Sequence, residues 1–257
     1  MTSTTLPRAT IFVDADNTLW DTDRVFAEAQ LQMLTEVEQA VGRAAPIERL
    51  RFLREFDQKL AERHHKGLRY PPRLLVQALA LALSGGAPGK AVNAALIEGA
   101  RPIGERDAAA IEERFLRGIS QTPPLRTGVV DGLDALHAAG CLVLILTEGS
   151  SEQVRSTAKA TGLIGHFDRI IEAPKQSRLY ERVMRLTGAP QRAYMVGDQL
   201  DRDIAPAKRA GLVTIYFPGG FAPRWAPDES EVGPDYRITS FYELVPIVLG
   251  EELARHP

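Results

Sequence analysis

Five short runs of apolar, β-branched and aromatic residues punctuate the chain: TIFVD (10–14), LVLILT (142–147), RIIEA (169–173), YMVGD (194–198) and VTIYF (213–217). Each is bounded by polar residues or glycine. Their apolar positions are consecutive rather than alternate, as expected of strands buried on both faces of a parallel sheet. Between them the spacing becomes helical. GVVDGLDALHAAG (128–140), SSEQVRSTAKATG (150–162), SRLYERVMRLTG (177–188) and LDRDIAPAKRAG (200–211) all end on glycine, which suits the left-handed position that closes a helix. Strands alternating with helices of about a dozen residues predict an α/β fold with a parallel sheet.

Residues 21–124 break this alternation. They contain no convincing strand. DRVFAEAQLQMLTEVEQAVG, IERLRFLREFDQKLAERHH, RLLVQALALALSGG, GKAVNAALIEGA and ERDAAAIEERFLRGI all read as helices separated by Pro, Gly and short polar breaks. QTPPLRTGV (121–129) reads as the linker returning to the sheet. The expected organisation is therefore a sheet core built from residues 1–20 and 125–257, with an all-helical domain over 21–124 inserted after the first strand. Beyond Phe217 a Pro/Gly-rich loop precedes an expected short strand at Tyr236–Ile238 and a last helix.

Composition narrows the classes of function. The 257 residues are 44% hydrophobic and 25% charged with a net charge of −2, which gives no electrostatic reason to expect a nucleic acid or an anionic membrane as partner. No apolar run approaches the ~20 residues of a membrane span, and MTSTTLPRAT lacks the apolar core of a secretory signal. The expected location is cytoplasmic. The single cysteine, Cys141, lies in the apolar run CLVLILT and reads as a buried small hydrophobe. LLVQALALAL reads as helical-domain core or a dimer surface, and oligomeric state stays open.

Chemistry gathers where strands end. Asp14 and Asp16 stand one residue apart after the first run and would face the same side of an extended chain. Thr147, Glu148 and Gly149 follow the second run, Lys175 the third, and Asp198 the fourth, with Asp201 and Asp203 close behind. In open parallel sheets, ligands sit beyond the carboxyl ends of the strands. The set suits phosphoryl transfer. A carboxylate that attacks phosphorus must approach a dianion, at a cost of roughly 4 kcal/mol per unit-charge pair at about 4 Å and an effective dielectric near 20. A Mg²⁺ held by Asp14 and Asp198, with the Lys175 ammonium, would offset that repulsion. Asp16 is placed to protonate a leaving oxygen and then activate water, while Thr147 and backbone N–H groups near Gly149 would hold phosphoryl oxygens. A calcium loop starting at Asp14 is excluded, because its sixth position is Leu19 rather than Gly and its twelfth is Val25 rather than Glu.

DADNTLW, LILTEG, PK and GDQLDRD resemble, in order, the four motifs of the haloacid dehalogenase-like hydrolase superfamily. The resemblance implies a Rossmann-like core with an inserted helical cap of the C1 type. It implies that Asp14 is the nucleophile, Asp16 the general acid/base and a backbone-carbonyl ligand of Mg²⁺, Thr147 the phosphoryl-binding hydroxyl and Lys175 the charge-balancing lysine. Asp198 and Asp203 would be the metal-ligating carboxylates of the fourth motif. An aspartate at position 16 marks phosphatases of the superfamily rather than its 2-haloacid dehalogenases. The chain departs from the pattern at Glu148, where asparagine is usual after the threonine, and it lacks the proline that often follows Lys175.

Within the expected cap, Arg69 or Tyr70 is a candidate for contacting the substrate's leaving group, whereas His64, His65 and Lys66 read as helix-end cations. Adjacent histidines do not share a helix face, so they do not suggest a metal site. Trp20 reads as packing at the hinge. The resulting expectation is a Mg²⁺-dependent phosphomonoester hydrolase that acts through an aspartyl-phosphate on a small phosphorylated metabolite. The alternatives are a phosphotransferase, a hydrolase of carbon–halogen or carbon–phosphorus bonds, and a non-catalytic module that binds metal and phosphoester.

Overall fold

A computed structural model of the protein describes residues 7–64, 70–188 and 192–250. The chain divides into two compact units, one of Met1–Asp23 and Thr122–Pro257, the other of Arg24–Gln121.

The chain enters the first unit through β1 (Thr10–Val13). It then runs through five helices: α1 (Thr22–Val41), α2 (Arg49–Arg63), α3 (Pro72–Leu83), α4 (Pro88–Leu96) and α5 (Glu105–Ile119). It returns to the first unit with α6 (Val129–Ala138), β2 (Leu142–Thr147), α7 (Ser151–Ala160), β3 (Arg169–Glu172), α8 (Ser177–Thr187) and β4 (Ala193–Gly197). A π-helical turn (Leu200–Ile204) leads into α9 (Ala205–Arg209), β5 (Val213–Tyr216), α10 (Glu229–Val232), β6 (Tyr236–Arg237) and α11 (Leu244–Leu249).

The six strands form one parallel sheet in the order β3-β2-β1-β4-β5-β6. β1 lies in its interior, so alternate side chains are buried on opposite faces. Ile11 and Val13 join Val143, Ile145, Val196 and Ile215 in one cluster. Phe12 joins Leu144, Leu146 and Met195 in another, where its ring meets Tyr180 edge-on at 5.2 Å. Strand order reverses between β1 and β4, making this the switch point where ligands bind in such sheets. The register pairs Val13 with both Ile145 and Val196, so Asp14, Thr147 and Asp198 emerge along the same edge of the sheet.

The helical unit has its own core. Met33, Leu34 and Val37 of α1 pack with Leu53, Phe56 and Leu60 of α2 and with Val76 and Leu79 of α3. The LLVQALALAL segment is thereby buried inside this unit. Its polar residue, Gln77, donates to the Ile103 carbonyl at 2.8 Å and accepts the Ile103 N–H at 3.0 Å, so it is buried without an unmet hydrogen bond. Among the described residues, no helix is long and apolar enough to cross a membrane.

The segment LDRDIAPAKRAG, expected as one helix, opens as a wider π turn. The Ala205 N–H reaches back to Leu200 O. Pro206 has no N–H to give to the carbonyl four residues earlier, so regular α pairing fails at that point.

Candidate active site

Asp14 follows β1 with its backbone N–H still bonded to Val196 O at 2.9 Å, which keeps the residue in line with the sheet. Its carboxylate is buried. Lys175 Nζ donates to Asp14 Oδ1, and the Thr18 hydroxyl donates to Oδ2 at 3.3 Å. The same lysine reaches Asp203 Oδ1 at 2.6 Å. Asp203 is fully buried, and its other oxygen accepts the Gln199 N–H at 2.9 Å. Gly197 permits this packing, since a Cβ there would lie 2.4 Å from the Asp203 carboxyl group.

Asp14, Asp198 and Asp203 each offer an oxygen within 4.8 Å of the others. At an effective dielectric near 20, two unit charges that far apart repel by about 3.5 kcal/mol. Burial pushes the Asp14 carboxyl up from its ordinary value, with Lys175 acting against the rise and Asp203 adding to it. Burial also raises Asp198, reinforced by Asp14 and Asp203. Burial alone would lower Lys175, but Asp14 and Asp203 outweigh it and hold the ammonium above the ordinary lysine range. Three carboxylates against one ammonium leave two negative charges when all are ionised.

The donors fit a hard divalent cation. All are carboxylate oxygens, and Asp198 Oδ1 is buried without any hydrogen-bond partner, a costly state for an ionised oxygen unless something binds it. Gly219 stands beside this aspartate, where a Cβ would come within 3.1 Å of Asp198 Oδ2.

Asp16 sits apart from that triad and is exposed. Its Oδ1 accepts the Trp20 indole N–H at 2.9 Å and the Thr22 hydroxyl at 2.9 Å. Asn17 adopts a left-handed conformation with φ of 58°, tolerable for asparagine. Its side-chain oxygen accepts the Asp23 N–H at 2.8 Å. The Trp20 side chain is buried and serves as a hydrogen-bond donor to Asp16 as well as a packing group.

Thr147 is buried at the end of β2, and its hydroxyl oxygen accepts the Gly149 N–H at 3.0 Å. That leaves the hydroxyl proton to donate elsewhere. Glu148 turns its side chain sideways. One oxygen accepts the Lys175 backbone N–H at 3.0 Å and the other pairs with Arg202 at 3.4 Å. The extra acid of the second motif is thus occupied in placing the lysine. Asp201 is exposed and lies outside the carboxylate triad.

In the helical unit, Tyr70 donates its hydroxyl to Asp57, whose other oxygen accepts the Gln30 side-chain amide at 3.3 Å. The tyrosine ring packs on the core of that unit. Arg69, with His65 and Lys66, lies outside the described residues.

Two features escaped sequence reasoning. Tyr180, read only as part of a helix, is fully buried with a hydroxyl that has no hydrogen-bond partner, and the charges of Asp203, Lys175 and Asp14 all bear on it. Arg126, read as part of a linker, binds three backbone carbonyls at the site's margin. Neither carries a motif signal, since one works through burial and the other through backbone oxygens.

The chain is 36% identical over 85 residues to a glyceraldehyde 3-phosphate phosphatase of Methanopyrus kandleri, covering 33% of this chain and 36% of that protein. It is 23% identical over 149 residues to a pyrimidine 5′-nucleotidase of Streptococcus pneumoniae, covering 55% of this chain and 61% of that protein. The chain therefore matches between 36% and 61% of the length of these two relatives. A haloacid dehalogenase-like family hydrolase from Xanthomonas campestris shares the fold, with a TM-score of 0.62 at 20% identity over 96% of this chain and 97% of that one. The family model for haloacid dehalogenase-like hydrolases matches residues 9–211, from the first strand through the carboxylates after β4, and the chain belongs to that family.

Proposed function

We propose that the protein is a Mg²⁺-dependent phosphomonoester hydrolase that works through an aspartyl-phosphate. The observation that carries this reading is the Asp14 carboxylate, bound by Lys175 and grouped with Asp198 and Asp203 at the switch point of the sheet. Two relatives are named as a glyceraldehyde 3-phosphate phosphatase and a pyrimidine 5′-nucleotidase, whose named substrates differ in the alcohol esterified. What those substrates share is a phosphate monoester, the coarsest substrate class that supports the reading.

Asp14 attacks phosphorus, forming an acyl–phosphate bond as the ester P–O bond breaks. Lys175 fixes the rotation of the attacking carboxylate and lessens its repulsion of the incoming phosphate. Asp16 gives its proton to the departing alkoxide oxygen. It then takes a proton from the water that attacks the acyl-phosphate, which releases inorganic phosphate and restores Asp14. The Thr147 hydroxyl donates to a phosphoryl oxygen. Asp14, Asp198 and Asp203, with the Asp16 carbonyl, would hold Mg²⁺, which supplies charge neutralisation for the phosphoryl oxygens. The helical unit would select a small phosphorylated metabolite, with Arg69 the candidate contact, since the Tyr70 hydroxyl is committed to Asp57.

Glu148, the departure in the second motif, leans toward a non-catalytic binding role, but its side chain bonds the Lys175 backbone N–H and pairs with Arg202. The test is turnover of an aryl phosphate with and without Mg²⁺ by the wild type and Asp14→Asn. Mg²⁺-dependent turnover that Asp14→Asn abolishes is expected. No turnover of any phosphate ester by the wild type, or full activity in Asp14→Asn, overturns the reading.

A further inference from the structure

The linker that returns from the helical unit runs alongside the exit of the first motif. Asp21 N–H donates to Pro124 O at 2.8 Å, Trp20 bridges Leu125 in antiparallel fashion, and Arg126 N–H donates to Leu19 O at 3.0 Å. The Arg126 side chain then turns toward two loops at once. Nη1 donates to the Asn17 carbonyl and, at 3.1 Å, to the Phe217 carbonyl, while Nη2 donates to the Pro218 carbonyl at 2.9 Å. Its guanidinium carbon lies 3.3 Å from the centroid of the Phe217 ring.

These loops carry different parts of the site. Asn17 directly follows Asp16, in a left-handed conformation. Phe217 and Pro218 lead to Gly219, which packs beside Asp198 and the Asn17 side chain. Only a planar fork of donors spans three carbonyls on two loops while stacking on an aromatic face; an ammonium is a point charge. The Trp20 and Thr22 bonds hold the Asp16 carboxylate. The Arg126 bond to the Asn17 carbonyl holds the peptide just beyond it.

We propose that Arg126 is a positioning residue for proton transfer by Asp16, tying the turn at Asn17 to the loop after β5. The proposal rests on the phosphatase reading. Its consequence falls on leaving groups. A p-nitrophenolate leaves with little help from an acid, whereas an alkoxide needs a proton. A misplaced Asp16 therefore harms alkyl phosphates more than aryl phosphates.

The experiment measures kcat/KM of the wild type, Arg126→Ala, Arg126→Lys and Asp16→Asn against esters of graded leaving-group pKa. Amide hydrogen exchange is followed in residues 14–20 and 217–220. In Arg126→Ala, kcat/KM is expected to fall about tenfold for an aryl phosphate and about a hundredfold for an alkyl phosphate. Its leaving-group dependence should steepen toward that of Asp16→Asn, with Arg126→Lys intermediate and both segments exchanging faster. Equal losses across all leaving groups, or none, would make Arg126 merely structural and overturn the proposal. If the wild type turns over no ester, the phosphatase reading fails, and with it the role assigned to Asp16. Exchange at the wild-type rate in either segment overturns the tie whatever the activity.

Discussion

Glu148 Oε1 accepts the backbone N–H of Lys175 at 3.0 Å, so the acid that follows Thr147 fixes the start of the segment presenting the lysine. The bond spans two strand ends, because β2 and β3 are neighbours with Thr147 paired to Glu172. Glu148→Gln keeps an oxygen acceptor and loses mainly the exposed ion pair with Arg202, a contact worth about 0–1 kcal/mol. It should retain activity within about threefold, whereas Glu148→Ala frees the Lys175 backbone and should lower kcat about tenfold. Steady-state kinetics on one aryl phosphate compares them. Equal loss in both variants would mean that the charge, not the acceptor, matters.

Gly197→Ala tests how closely the site is packed. The glycine has no positive φ, so space alone decides the outcome. The new Cβ would meet the Asp203 carboxyl group at 2.4 Å and push it from Lys175 and the Gln199 N–H. Overpacking of this kind costs about 1–3 kcal/mol. Weaker Mg²⁺ binding by calorimetry and a large fall in activity are expected. Gly165→Ala, where a Cβ would meet no atom within 4 Å, is the control and should be close to neutral in both measurements.

A pH effect on stability is expected at the C-terminal end of the first unit. Glu243 Oε1 accepts the Thr239 N–H at 2.9 Å and the Ser240 N–H at 3.0 Å, closing a capping box. Burial would raise this carboxyl, but those bonds and Arg237 outweigh it and hold it below the ordinary glutamate value of 4.5. A depressed carboxyl stabilises the fold above its unfolded value, and that contribution is lost as pH falls through the lower folded value. Glu243→Gln should therefore cost about 0.5–1 kcal/mol at neutral pH in a partly exposed cap. The gap to the wild type should close in acid, as followed by urea unfolding from pH 7 to pH 3. A gap that widens in acid would contradict the assignment.

The readability of this site from sequence follows from what each group uses. Parallel strands buried on both faces leave consecutive apolar runs, so β1, β2 and β4 were legible, and with them the residues they release at one edge: Asp14, Thr147 and Asp198. Lys175 was legible because it closely follows a strand. Glu148 was puzzling because its partner is the backbone of a residue 27 positions away, and a backbone N–H leaves no mark on composition. Arg126 stayed hidden for the same reason, since it binds carbonyls that any residue offers. The π turn before α9 follows from one missing N–H at Pro206, whose local effect periodicity does not capture.

The buried acids predict a reversal of stability with metal. Without a cation, the raised Asp14 carboxyl means that the fold disfavours its charged form. Asp14→Asn removes that charge while keeping the shape, and Lys175 retains Asp203 as a partner at 2.6 Å. In EDTA near pH 8 the variant should therefore melt above the wild type by about 2–4 °C per kcal/mol relieved in a chain of this size. A bound cation stabilises in proportion to the logarithm of its concentration over its Kd, and with Asp14 proposed as a ligand the wild type would have the fuller set. Rising Mg²⁺ should lift the wild-type midpoint faster, until the order of the two proteins inverts. Thermal melts across a Mg²⁺ titration show whether the curves cross. Parallel curves, with the wild type always above, would mean that Asp14 is neither strained in the metal-free fold nor a ligand of the metal.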